Sequence, residues 1–190
     1  MDGATQYALA YALTTSAGLR GVLTLAAASI AVHAGFLHPP GAFAWLGSTA
    51  VTIALAAVAI ADFAGDKIPV VDHALHALNL LVKPACAAIL VGGTLHPHSQ
   101  SALIALMALG AFNALGIHAA SATVRGTSTL TTAGVANPAI STVEDFGSIA
   151  MLVISFVAPL VGAALAIVLS IALLTLGRKL WRTTRRKTIA

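Results

Sequence analysis

Charge is what this sequence has least of: six acids and ten bases make up 8% of 190 residues. A soluble domain is about a quarter charged, so a water-exposed globular fold is excluded. Cysteine is nearly absent as well. The single Cys86 rules out an internal disulfide, and its apolar setting suits a small buried hydrophobe. Alternating strand patterns are missing, which removes the β-barrel alternative. There is no phosphate-cradling glycine loop, no serine-nucleophile elbow and no paired-histidine metalloprotease motif, so nothing argues directly for an enzyme. No base precedes the first apolar run, "MDGATQYALAYAL", so a cleaved signal peptide is not expected.

What is present is apolar, with 58% hydrophobic residues and a mean hydropathy of +0.94. The expected fold is therefore all-α: one polytopic membrane helical bundle over residues 1–177, followed by a basic tail, 178–190. Five apolar segments run over 7–36, 43–64, 70–95, 102–124 and 146–176. They are separated by "HPPG" (38–41), "GDKIP" (65–69), "HPHS" (96–99) and "RGTSTLTTAGVANP" (125–138). A crossing takes roughly 20 residues. The first, third and fifth segments exceed that by two turns or more, and each keeps its polar residues in its N-terminal half. Each of these is expected as a kinked helix or as a re-entrant half-helix joined to a full span, with Pro84 and Pro159 as the joints of the third and fifth.

Five alternating spans make the odd segments parallel, so their polar heads gather at one face. With the basic tail in the cytoplasm, the chain's start, "GDKIP" and "RGTSTLTTAGVANP" are expected outside, and "HPPG" and "HPHS" inside. Six of the ten bases lie in 178–187, beside Trp181. That cluster suits anionic lipid headgroups rather than nucleic acid.

Asp72, His76, Asn79 and Lys83 follow one another at spacings of four, three and four, which places them on one helical stripe. Arg20 lies deep in the first segment, where a charge costs about 2.5–3.5 kcal/mol on insertion scales unless paired or hydrated. Asp72, Glu144 and Asp145 are its expected partners. Ser141 with Glu144 also reads as a capping box, and Asp66 as a helix cap ahead of Pro69. His96 and His98 flank Pro97, while His33 and His38 bracket another turn; these are expected at the interface. No metal-ligand spacing is complete, so neither a metal nor a cofactor is expected.

"SAGLRGVLTL" (16–25), "DKIPVVD" (66–72) with Lys83–Pro84, His118 and Arg125 seven apart, and "NPAISTVED" (137–145) resemble the bacterial membrane family catalogued as domain of unknown function 4126. The resemblance runs in order over nearly the whole chain. It implies a small multi-span protein of the bacterial inner membrane and no particular chemistry. One departure is Ser121, where many members carry a lysine.

The leading expectation is a transporter or channel for an ion or small polar solute, its pathway lined by Arg20, Asp72, His76, Asn79, Lys83, Glu144 and Asp145. Asp66, His118 and Arg125 are secondary candidates. The alternatives are an accessory protein whose charges only lock helix packing, and a membrane enzyme working at headgroup depth. Abundant Ala and Gly suit close helix contact and a homo-oligomer.

Overall fold

The computed structural model describes the backbone of residues 1–65 and 69–188, and the side chains of these except 69–74, 76 and 183–188. Its helices are α1 Gly3–Leu19, α2 Gly21–His33, α3 Thr49–Gly65, α4 Pro69–Thr94, α5 Gln100–Thr132, α6 Asn137–Val157 and α7 Pro159–Thr188. A 3₁₀ turn, Gly41–Gly47, leads into α3 at a bend of 66°. Among the described residues four helices are long and apolar enough to cross a membrane, or five if the bent turn and α3 together count as one span. The protein is an all-α membrane bundle, as its composition requires.

Two helix junctions have almost no loop. Arg20 alone separates α1 from α2, and Ala158 alone separates α6 from α7. Both chains turn back sharply: the Thr24 hydroxyl lies 3.2 Å from Ser16 Oγ, although residues eight apart on a continuous helix would stand about 12 Å apart. At the second corner a Cβ on Gly162 would come within 2.8 Å of Ser155 Cα. Only glycine admits that approach.

Side-chain contacts then fix every direction. Gly18 meets Ile117 while Tyr7 shares a pocket with Leu95 and Leu106, so α1 runs with α5 and against α4. Gly21 meets Lys83 while His38 O accepts from His96, so α2 runs with α4. Arg20 meets Asp62 and Ser29 meets Thr52, which sets α3 against α2. Asp145 meets Arg20 while Phe156 reaches the pocket around Met1 and Thr5, so α6 opposes α1. The seven described helices alternate in direction.

This order corrects the expected topology. The corners at Arg20 and Ala158 reverse the chain twice more than five plain spans would. The ends of α3, α5 and α7 therefore share one face, called here the basic face, and the starts of α1, α3, α5 and α7 share the other. "HPPG" and "HPHS" lie with the start of α1, not with the basic tail. The polar heads still gather at one end, because α2, α4 and α6 are parallel. Of the three long segments, the third stays one continuous helix through Pro84, the fifth breaks before Pro159, and the first breaks at Arg20 with no proline.

The stretch read as a loop after Arg125 is helical as far as Thr132. The hydroxyls of Thr127, Thr129, Thr131 and Thr132 each bond a carbonyl four residues back, which satisfies them within the helix. Termination comes at Ala133 (φ 51°) and Gly134 (φ 85°), in the left-handed region. At 33 residues α5 is about 50 Å long, well beyond the roughly 30 Å of hydrocarbon.

The core gathers Leu9, Leu13, Leu25, Leu46, Leu90 and Leu152 around α1, with Cys86 buried among them as a free thiol. Ile53, Ile60, Leu81 and Phe112 point outward, as a lipid-facing surface should. The small residues serve the chain's own contacts. A Cβ at Gly18 would meet Ala114 O at 2.8 Å, and one at Gly110 would meet Val91 and Thr14.

Candidate functional site: a charge network at a helix corner

Arg20 has left the helical conformation (φ −134°, ψ 81°), because α1 ends and α2 begins on either side of it. The residue is 3% exposed, and its guanidinium meets polar groups of α6 and α3. Nη2 stands 2.5 Å from Asp145 Oδ1 and donates to Ser141 Oγ at 2.9 Å, while Nη1 is 3.5 Å from Asp62 Oδ2. One cation thus faces two carboxylates.

The adjacent acid takes a different partner. Successive residues on a helix point about 100° apart, so Glu144 turns from the corner to α5 and there accepts from the Arg125 guanidinium and the Ser121 hydroxyl. The expected capping box does not form. α6 starts earlier, at Asn137, with no side-chain cap, which leaves Ser141 a turn inside the helix and free to bond Arg20.

Lys83 completes the network from α4. It is 6% exposed, and its Nζ lies 3.1 Å from His118 Nδ1 on α5. Gly21 makes this depth possible, since a Cβ there would stand 3.0 Å from Lys83 Cα. Asn79, a turn earlier, is part-buried, whereas Leu78 and Leu81 are 57% and 77% exposed, so the stripe faces inward at both described positions. The side chains of Asp66, Asp72 and His76 lie outside the described residues.

The structure therefore brings Arg20, Lys83, His118, Arg125, Glu144 and Asp145 to one end of the bundle. Among the described residues no group of three or more His, Cys, Asp or Glu side chains could hold a metal ion. Asp62 was not among the sequence candidates. Its signal was a lone carboxylate in the apolar run "IALAAVAIADFAG", hidden by its nearness to the charged "GDKIP". The described side chains of this network are three bases, Arg20, Lys83 and Arg125, and three acids, Asp62, Glu144 and Asp145.

Below the corner the interior stays polar. Thr14, Thr15, Ser16, Thr24 and Ser29 of α1 and α2, and Ser141, Ser148 and Ser155 of α6, are all 2% exposed or less. Asn113 Nδ2 donates to Thr14 and Thr15 Oγ1 at 2.9 and 3.0 Å. A cavity of about 400 Å³ at the far face, near Thr5, Gln6, His38, Thr94 and His96, lies at the other end of this spine. Beside the corner an apolar cleft of about 300 Å³ between α2, α3 and α6 opens toward lipid at Ile30, Ile60 and Ile149.

These features define a multi-helix membrane protein with a buried charge network at a broken helix. The family described as Domain of unknown function (DUF4126) matches residues 7–179, and the chain belongs to it. No curated protein and no solved structure matches the chain.

Proposed function

We propose that the protein is a small transporter or channel for an ion or small polar solute, and that proton movement within the charge network accompanies passage. One observation carries this reading: a buried lysine is hydrogen-bonded to an imidazole nitrogen, while two carboxylates crowd a single arginine nearby. A lock built for stability would give each buried cation its own carboxylate, since an unpaired buried charge is the costly case. Here Lys83 Nζ faces an imidazole nitrogen instead. Transfer of the Lys83 proton to His118 Nδ1, or from there to a carboxylate, changes how strongly the corner attracts a cation. The hydroxyl spine from Ser148 through Thr15 to the far cavity supports a polar route for a solute.

The same reading sets the protein in a bacterial inner membrane with its basic face in the cytoplasm. Arg125, Arg178, Lys179 and Arg182 belong to helix ends at that face, and the opposite face has histidines but no Lys or Arg in its connections.

The test is reconstitution in liposomes under an imposed pH or cation gradient, with internal dyes reading flux. Wild-type protein is expected to dissipate the gradient, and Lys83→Gln to abolish flux while the protein remains folded. Folded wild-type protein that passes neither protons, monovalent cations nor small polar solutes would remove the transport reading. A second reading, a structural lock, is favoured by the close Arg20–Asp145 and Arg125–Glu144 pairs. It expects Lys83→Gln to act on stability alone.

A further inference from the structure

We propose that the groove between α5 and α7 at the basic face holds one anionic phospholipid, its phosphate on Arg178 and Arg182 and an acyl chain along a floor of small residues. The groove encloses about 350 Å³. Its floor is Gly116, Ala119, Ala120 and Gly177, residues with at most a methyl group. At Gly177 the helices are in contact, because a Cβ there would stand 3.3 Å from Ala120 Cα. At Gly116 they are not, since nothing lies within 4 Å of where its Cβ would be. The chain leaves a slot there that its own side chains do not fill.

The slot is apolar toward the membrane interior, at Leu174, and basic toward the face, at Arg178 and Arg182. Those two arginines are four residues apart, hence on one side of α7, and both line the groove. Neither has an ion-pair partner among the described residues. Trp181 lies between them in sequence, also on the groove, and an indole at this level suits the headgroup boundary. Paired guanidinium groups match the oxygens of a phosphate, and basic pockets between membrane helices are where anionic headgroups bind. This polarity, charged head outward and apolar tail inward, fits a phospholipid better than a free anion, which would leave the slot empty. The inference does not depend on transport activity.

Native mass spectrometry of the full chain, released from mixed micelles holding equal amounts of phosphatidylglycerol and phosphatidylcholine with the same chains, is the experiment. A single phosphatidylglycerol adduct is expected, at least tenfold above phosphatidylcholine and not displaced by inorganic phosphate. Arg178→Gln with Arg182→Gln should erase the preference. Lys179→Gln, adjacent but not lining the groove, should keep it. Gly116→Leu should fill the slot and lower adducts of both lipids with the arginines intact, and Ala119→Leu serves if that variant does not fold. Equal adducts of the two lipids, displacement by phosphate, retention in the double arginine variant, or unchanged adducts in a folded slot-filling variant would each overturn the proposal. So would loss in Lys179→Gln equal to that in the double variant.

Discussion

The two loopless corners have nearly the same backbone and opposite chemistry. Arg20 (φ −134°, ψ 81°) and Ala158 (φ −141°, ψ 77°) each close the preceding helix by an N–H to the carbonyl four residues back, Ser16 and Ile154. Each also lets its own carbonyl start the next helix, accepting from Thr24 and Gly162. The first corner carries a buried guanidinium held by two carboxylates, whereas the second carries a methyl group and a proline. The turn itself thus needs no charge. The Arg20 network is an addition to the fold, and that is the strongest reason to seek a function in it.

Neutralising the charged corner should have the largest effect. Arg20→Gln removes the cation that Asp145 and Asp62 both face, and breaking a buried pair costs about 3–5 kcal/mol. Asp145→Asn should cost more than Asp62→Asn, because the Asp145 side chain is 4% exposed at 2.5 Å and the Asp62 side chain 12% exposed at 3.5 Å. Thermal unfolding in detergent reads both. Arg20→Gln with Asp145→Asn should regain part of the loss, since the double change removes the shorter ion pair as a unit. If that double variant also regains flux in liposomes, the corner is a lock and the transport reading fails there. Ala158→Ser, the matching change at the other corner, should leave stability and flux near wild type.

How much of this was legible differs between the corners for a physical reason. Pro159 announces its corner, since proline lacks a donor and tolerates only a helix start. Arg20 announces a buried charge but not a turn, because the break depends on Gly21 admitting α4 and on Thr24 reaching back to Ser16, contacts between residues remote or unremarkable in sequence. The apolar periodicity gave the helices and their all-α class. It missed the alternation of seven directions, as a one-residue junction leaves no gap in hydropathy. The stripe on α4 was readable from spacing, while Asp62 required knowing that α3 packs against α2. Small residues were visible throughout, yet which faces they join is a matter of tertiary contact.

Packing at the corners should respond next. Gly162→Ala forces a methyl group against Ser155 Cα, and Gly18→Ala forces one against Ala114 O, backbone-level contacts that neither neighbour can rotate away from. Overpacking of this kind costs about 1–3 kcal/mol. The expected readout is a lower unfolding temperature in each. If Gly162→Ala is silent, the second corner is looser than the first and the two are not equivalent. Pro159→Ala should matter less, about 0.4–1 kcal/mol, since the proline mainly restricts the unfolded chain while Gly162 holds the turn.

The smallest effect concerns how helices begin where no corner starts them. At Asn137 no side chain caps the helix, but α1 is capped by Asp2, whose Oδ1 accepts from Thr5 N at 3.1 Å. Hydrogen bonds from the Thr5 side chain and backbone hold the Asp2 carboxyl below its ordinary pKa of 3.8. A carboxyl whose folded pKa is depressed contributes its stabilisation above the unfolded pKa and loses it as pH falls through the folded value. The contribution of this cap should therefore be complete at neutral pH and fade only below about pH 4. Asp2→Ala should lower the unfolding temperature slightly at pH 7 and leave it unchanged at pH 2. Asp2→Asn keeps a capping oxygen without the titration, so its stability should follow wild type at neutral pH and decline less in acid. If Asp2→Ala instead destabilises equally at both pH values, the residue acts through packing at the far-face cavity, and the start of α1 is held by tertiary contacts as the corners are.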